Sequence, residues 1–293
     1  MEPIIKTANP KKIASFLLKL SITGGAIAYV AAQIDINQLT NTFLSANLLW
    51  LLGAFITFNL SKILSSVRLS LYYQTLNVSL NQREHLHLYY IGMFYNLFLP
   101  GGISGDGYKI YLLNKKFHSG FKPLTAATLL DRLSGLAALL FLAGLLFTLS
   151  HFSALHSLLS PLAWIGVLSV LPVLYLMNRI MFKSFLPLFK ITTFYAFGVQ
   201  LLQLLSALCI VYAIGMDEHS IDYLTLFLIS SIVAVLPLSI GGVGLRELTF
   251  LYGFTLIGGD TASAVSFSAL FFIITALSSS IGGFLKTPFS HKD

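Results

Sequence analysis

Charge is too sparse in this chain to give it a water-facing surface. Its 293 residues carry 18 Lys and Arg and 11 Asp and Glu, 10% in all, where a soluble domain carries roughly 25%. Hydrophobic residues make up 56% and the mean hydropathy is +0.82. This excludes an ordinary soluble enzyme, a disordered protein and a nucleic-acid binder. One cysteine, Cys209, excludes a disulfide framework and a Cys-based zinc site. A helix needs about 20 apolar residues to cross a hydrocarbon core of about 30 Å, so the apolar content suffices for about seven or eight such segments. No long charged stretch marks a second, soluble domain. The expectation is one all-α integral membrane domain over residues 1–293.

Lys6, Lys11 and Lys12 precede a first span, Ile13–Ala32, that is longer than a signal-peptide core and ends in no small-x-small site. Further full spans read Leu48–Val67, ending at Arg68, then Thr125–Leu149, Ala163–Met177, Phe194–Ile214 and Ala262–Leu285. Two apolar stretches, Leu86–Leu99 and Tyr223–Leu236, are too short to cross. Lys and Arg concentrate at the N-terminus, between Arg68 and Arg83, from Lys109 to Lys122, from Arg179 to Lys190 and at the C-terminus. The positive-inside rule puts all five on the cytoplasmic side, with Gln33–Asn47, His151–Ser160 and Asp217–Asp222 outside. Both short stretches must then turn back, giving about six full spans plus two re-entrant helical hairpins that enter from opposite faces.

The two breaks look alike. One reads Leu99-Pro100-Gly101-Gly102-Ile103-Ser104-Gly105-Asp106, the other Leu236-Pro237-Leu238-Ser239-Ile240-Gly241-Gly242-Val243-Gly244. Proline removes a backbone donor and clashes with a continuing helix; glycine supplies the φ values a reversal needs. Unpaired amides cost several kcal/mol in hydrocarbon, so such turns survive only against protein or a water-filled cavity. Oppositely oriented broken helices point to a transporter binding site between repeats, and free helix N-termini suit an anion.

Charges inside apolar segments mark the candidate site. Asp106 and Lys109 share a helix face. Asp131 and Arg132 open the Thr125–Leu149 span, and Arg246 and Glu247 follow the second glycine turn. Read functionally, these form a net-neutral cluster of three acids and three bases, the bases binding a lipid phosphate and the acids orienting them or relaying protons. Read structurally, they are pairs that lock helices together. Lys19 and Lys62 are expected to snorkel to the cytoplasmic interface. His85 and His87 have no third ligand nearby and are placed in an interfacial loop. Tyr89, Tyr90, Tyr95, Phe94 and Phe98 read as membrane packing. No nucleophile elbow, HExxH, P-loop or dinucleotide fingerprint is present, and no cofactor is implied.

The stretch Asn96-Leu97-Phe98-Leu99-Pro100-Gly101-Gly102, followed by Gly105-Asp106, Lys109 and Leu112-Leu113, resembles the lysylphosphatidylglycerol synthase transmembrane-region family, also called flippase-like. Asp131-Arg132-Leu133-Ser134-Gly135-Leu136 and the run from Pro237 to Glu247 resemble its other two signatures, in the same order. The resemblance implies an inner-membrane protein, with cytoplasmic termini, that moves or presents a phospholipid or polyprenyl-linked lipid. It adds Asn96, Gly101, Gly102, Gly241 and Gly242 to the candidate lipid-binding residues. Lys109 stands where the family more often has Arg, which removes bidentate phosphate binding there. Without the aminoacyltransferase domain fused to some members, the chain is not expected to make lysyl-lipids. A lipid translocase is the first expectation. A lipid-modifying enzyme with Asp106 or Glu247 as general base is the second; a non-transporting partner of an envelope-synthesis enzyme is the third. A homo-oligomer is compatible with each.

Overall fold

The computed structural model describes residues 21, 24–25, 28–30, 32, 36–98, 103–155, 157–235 and 244–288. The helices followed below are α1 (Ile36–Ser45), α2 (Leu48–Gln74), α3 (Gln82–Phe98), α4 (Ser104–Phe117), α5 (Phe121–Leu149), α6 (Leu159–Met181), α7 (Phe189–Ala213), α8 (Ser220–Val235), α9 (Leu245–Ile257) and α10 (Thr261–Phe284). No strand occurs among the described residues. Most of the Ile13–Ala32 span, the Leu99–Gly102 break and the Leu236–Val243 break lie outside them.

The packing is that of a membrane protein. Large apolar side chains point outward along α6, where Ile165 and Leu168 are 64% and 71% exposed. Small and polar residues fill the interior: Ser61, Ser65, Ser206, Ser230, Ser266 and Ser278 are buried. Small residues let backbones approach where there is no hydrophobic drive to hold helices together. Thus α2 and α7 run antiparallel in close contact, with Gly53 facing Cys209 and the Ser206 hydroxyl donating to the Ala54 carbonyl at 2.8 Å. Asn47 ties the outer end of this pair, its N–H donating to Ala213 O at 2.8 Å.

Among the described residues, six segments are long and apolar enough to span a bilayer: Leu48–Gln74, Phe121–Leu149, Leu159–Met181, Lys183–Ala213, Asp217–Val235 and Thr261–Phe284. Five match expected spans. The sixth is α8 with the short 3-10 turn before it, which the sequence reading had taken as too short. The second span also differs: α2 does not stop at Arg68 but continues to Gln74. No proline or glycine interrupts that last stretch, and its tyrosines Tyr72 and Tyr73 are fully buried.

Both short stretches fold back as antiparallel helix pairs. In the first, Tyr95 of α3 packs on Tyr108 of α4, and Tyr89, two turns earlier, faces Lys109. The Asn96 side chain accepts the Gly105 N–H at 2.9 Å, satisfying one of the amides left open at the start of α4. In the second, Tyr223 at the start of α8 packs on Phe254 near the end of α9, and Leu226 packs over Gly253. The pairs enter from opposite ends of the bundle. The α3–α4 pair starts beside the last turn of α2, where His85 stacks on Tyr73. The α8–α9 pair starts at the other end, just after α7, whose final residue is bonded to Asn47 before α2. At 1.5 Å per residue, α3 and α4 are about 26 and 21 Å long, and α8 and α9 about 24 and 20 Å. Alone, α3, α4 and α9 fall short of the roughly 30 Å of a hydrocarbon core, whereas α8 with the 3-10 turn before it is long enough to span one.

Helix α10 joins the two pairs. Its first half packs on α9, with Phe267 against Phe250, and its last turns pack on α3, where Gly282 lies against the Tyr90 backbone. Among the described residues of the first expected span, Val30 packs with Leu251 of α9 and Val265 of α10.

A methyl group on Gly105 would overlap the Gly92 carbonyl, and one on Gly282 the Tyr90 carbonyl. Gly105→Ala and Gly282→Ala should each cost about 1–3 kcal/mol through overpacking, while Gly166→Ala, with open space at its Cβ, should not lower stability. Thermal melting of the detergent-solubilised protein measures the difference.

Candidate functional site

The sites begin with one face of α2. Phe58, Ser61, Ser65, Arg68 and Tyr72 are all buried, and their spacing of three and four residues puts them on one stripe. Arg68 is 5% exposed and meets Asp131 of α5: its Nε lies 2.7 Å from Oδ1, and Nη2 donates to the Asp131 carbonyl at 3.1 Å. The guanidinium fits because Gly135, one turn along α5, has no side chain; a Cβ there would lie 3.3 Å from Nη2. Its Nη1 has no hydrogen-bond partner. The sequence reading placed Arg68 at a cytoplasmic boundary; the continuous helix carries it into the interior instead.

The next residue of α5, Arg132, pairs with Asp106 of α4. Asp106 also holds Lys109 at 2.7 Å, the i, i+3 pair expected on one face. Lys109 is 5% exposed; its aliphatic stem crosses Gly92 of α3 and its ammonium lies 5.3 Å from the Tyr89 ring centre. Lysines in the Lys109–Lys122 segment are therefore not equivalent: Lys115 and Lys116 are exposed, whereas Lys109 is inside the bundle.

These groups border a single cavity of about 470 Å³, lined by Lys62, Arg68, Asn96, Asp106, Lys109, Asp131 and Arg132, with Ser65, Thr128, Gln200 and Gln203 adding polar surface. Met93, Leu129, Leu133, Leu136 and Leu139 form apolar wall. Asn96 and Val235 both line it; they sit at the inner ends of α3 and α8, so the two helix pairs converge here from opposite ends. Four cations against two carboxylates leave a formal charge of +2. Arg132 is the most accessible of the four, with 40% of its side chain exposed, against 6% for Arg68 and for Lys109.

Lys62 corrects a second expectation. It lies in the middle of α2, its ammonium 4.3 Å from the Phe58 ring centre, and lines the cavity rather than reaching for an interface. No carboxylate among the described residues lies within ion-pair distance of it. Arg246 reaches the other side of the same aromatic pair: it stacks over Phe271, which meets Phe58 edge-on. Arg246 is not part of the cavity lining. Glu247 turns away: its carboxylate accepts the Gly244 N–H at 2.7 Å and the Ser268 hydroxyl at 3.0 Å, so it caps α9 and ties it to α10. The lining is thus cationic rather than the neutral six-residue cluster expected. Gly101, Gly102, Gly241 and Gly242 lie outside the described residues. His85 is not in a loop; it is buried in α3 against Tyr73.

The Arg68 and Lys62 positions were missed because each was judged by its distance along the chain from the next basic loop. The signal available was the stripe from Ser61 to Tyr72, a polar face on an otherwise apolar helix.

The family profile described as the lysylphosphatidylglycerol synthase TM region matches residues 16–283. The chain belongs to that family. No curated protein matches it. Family membership and the apolar helices together make it a multi-pass membrane protein of a lipid-handling family.

Removing one partner of a buried ion pair leaves an uncompensated charge, worth about 3–5 kcal/mol. Asp131→Ala should therefore destabilise the protein by that order, and the double change Asp131→Leu with Arg68→Met should recover most of the loss. Thermal unfolding of the two variants beside the parent protein checks this.

Proposed function

We propose that this protein translocates an anionic lipid, admitting its phosphate headgroup to the cationic cavity while the acyl chains stay in the bilayer. The observation that carries the reading is the excess of two positive charges around a cavity where two oppositely oriented helix pairs converge. In this reading both pairs are re-entrant hairpins. Charge at the bilayer centre costs about 2.5–3.5 kcal/mol per group on insertion scales, so unbalanced cations there favour an anionic ligand and water. A volume of about 470 Å³ is in the range of small-molecule sites and holds a headgroup, not two acyl chains.

The residues divide the work. Arg132, the exposed cation, meets the phosphate first. Lys62 and Lys109 supply charge deeper in, and Arg68 offers its unpaired Nη1. Asp106 holds Lys109 and Arg132 in place; Asp131 holds Arg68. Rocking of one hairpin-bearing half against the other would open the cavity to each face in turn. No nucleotide-binding fingerprint is present, so movement runs downhill or on an ion gradient. The enzyme reading, with Asp106 or Glu247 as general base, is less well supported. Asp106 is neutralised by two cations, and Glu247 is committed to the α9 terminus.

The test is purified protein in liposomes containing a fluorescent anionic phospholipid or a polyprenyl phosphate, with leaflet exchange followed by quenching and lipid mass read at the end. The protein should accelerate exchange without changing mass. Lys62→Met should slow exchange about tenfold or more at unchanged melting temperature, and Arg132→Gln should slow it as much while remaining folded. Exchange at the rate of empty liposomes for every anionic lipid, or full activity in both variants, would overturn the reading; a change in lipid mass would establish the enzyme instead.

A further inference from the structure

A second cluster of chemistry-bearing side chains lies far from the cationic cavity, at the end of the bundle where α5 finishes and α8 begins. His151 opens the 3-10 turn after α5, His219 closes the turn before α8, and Asp222 is in the first turn of α8. The sequence separates them by about seventy residues, and the fold brings one potential ligand atom from each to within 4.8 Å of the others.

Asp222 sets the chemistry. It is 1% exposed, yet among the described residues no Lys or Arg lies within ion-pair distance of it. A buried carboxylate needs compensating charge. What faces it is a pair of imidazoles: Nδ1 of His151 at 2.7 Å from Oδ2 and Nδ1 of His219 at 3.7 Å from the same oxygen. The other carboxylate oxygen accepts the His151 backbone N–H at 2.9 Å, which fixes the orientation of the group. Two imidazole nitrogens and one carboxylate oxygen are a ligand set for zinc and similar divalent ions. Around a tetrahedral zinc with bonds of about 2.0–2.2 Å, neighbouring ligand atoms lie about 3.4 Å apart. The observed spacings bracket that value, and both imidazoles are exposed enough to rotate into it, with 71% and 46% of their side chains accessible.

The surroundings also favour a cation. Beside His219 is a cavity of about 240 Å³ lined by Asp217, Glu218 and Asp260, with no Lys or Arg among the lining residues. Tyr223 lines it too; it is 1% exposed, and its hydroxyl is buried with no hydrogen-bond partner. Of the three ligand residues His219 lines this cavity, and its carboxylates make the neighbourhood favourable to a cation.

We propose that His151, His219 and Asp222 form a binding site for a divalent transition-metal ion, zinc by its ligand chemistry, that fastens the base of the α8–α9 pair to the end of α5. The ion neutralises the buried carboxylate and adds a bond between two segments that already pack against each other. Binding needs Nδ1 of both imidazoles unprotonated, so a proton carried on either Nδ1 moves to Nε2 or to water. This site is independent of the lipid reading.

The test uses tag-free full-length protein, stripped with chelator and titrated with zinc chloride by calorimetry, with cobalt(II) absorption as a spectroscopic report of tetrahedral geometry. One equivalent should bind, raise the melting temperature and give visible cobalt bands. His219→Ala, which removes an accessible imidazole, should weaken binding about tenfold or more and abolish the bands; His151→Ala should do the same, and His87→Gln should change neither. If His151→Ala fails to fold, His219→Ala decides alone. Absence of saturable binding, or zinc affinity in His219→Ala within about threefold of the parent protein, would overturn the proposal and leave a hydrogen-bonded His–Asp contact.

Discussion

Charge compensated inside an apolar bundle is what the rest of this architecture depends on. Arg68 is held by Asp131 and Lys109 by Asp106, each at 2.7 Å, and each cation is 5% exposed. Lys109–Asp106 lies within α4, but the other two pairs join different helices. Arg68 comes from α2 and Asp131 from α5; Asp106 comes from α4 and also grips Arg132 of α5. The ion pairs therefore do two things: they make burial of charge tolerable, and they fix the first helix pair against the spanning helices. Replacing them by apolar contacts is often no less stable in general, so their retention is not explained by stability. An excess of cations over acids, facing a cavity, is the feature that apolar packing could not supply.

The helix pairs solve a second problem. A break in a helix exposes amides that hydrocarbon cannot satisfy. At the first break Asn96 takes the Gly105 amide, and at the second Glu247 takes the Gly244 amide, so in each case a side chain near the break caps the outgoing helix. The two solutions differ in a way that matters. Asn96 is neutral and lines the cavity, whereas Glu247 is spent on its own helix and on Ser268. The pseudo-symmetry visible in the Leu-Pro and glycine runs is thus not carried through to the charges: the cavity is built mainly by the first pair with α2 and α5, and the second pair contributes its tip at Val235.

Much of this was legible in the sequence. Apolar run length and the positions of Pro100 and Pro237 were enough to locate five of the six span-length segments among the described residues and the ends of α3 and α8, because a 20-residue requirement and a missing backbone donor are local properties; α8 with its 3-10 turn is longer than that reading allowed. Asp106, Lys109, Asp131 and Arg132 were recognisable as a group because charge in an apolar segment is rare. Arg68 and Lys62 were not, since each sits near enough to a basic loop to be read as a boundary residue; only the three-dimensional face shared with Ser61, Ser65 and Tyr72 distinguishes them. Glu247 was misread for the opposite reason. Its charge is conspicuous, but a carboxylate three residues into a helix can be satisfied by the helix's own first amide, and sequence does not say which way it turns. The His151–Asp222 contact was invisible because it joins loops about seventy residues apart.

The central claim is that both helix pairs return to the face they entered from, meeting inside the membrane at the cavity. Single cysteines at Gln82 and Lys115, which bracket the first pair, and at Glu218 and Leu256, which bracket the second, are all exposed and suit labelling by a membrane-impermeant thiol reagent in oriented vesicles, on a Cys209→Ser background. The account predicts that positions 82 and 115 label from one face and 218 and 256 from the other. Labelling of 82 and 115 from opposite faces, or of 218 and 256 from opposite faces, would contradict it.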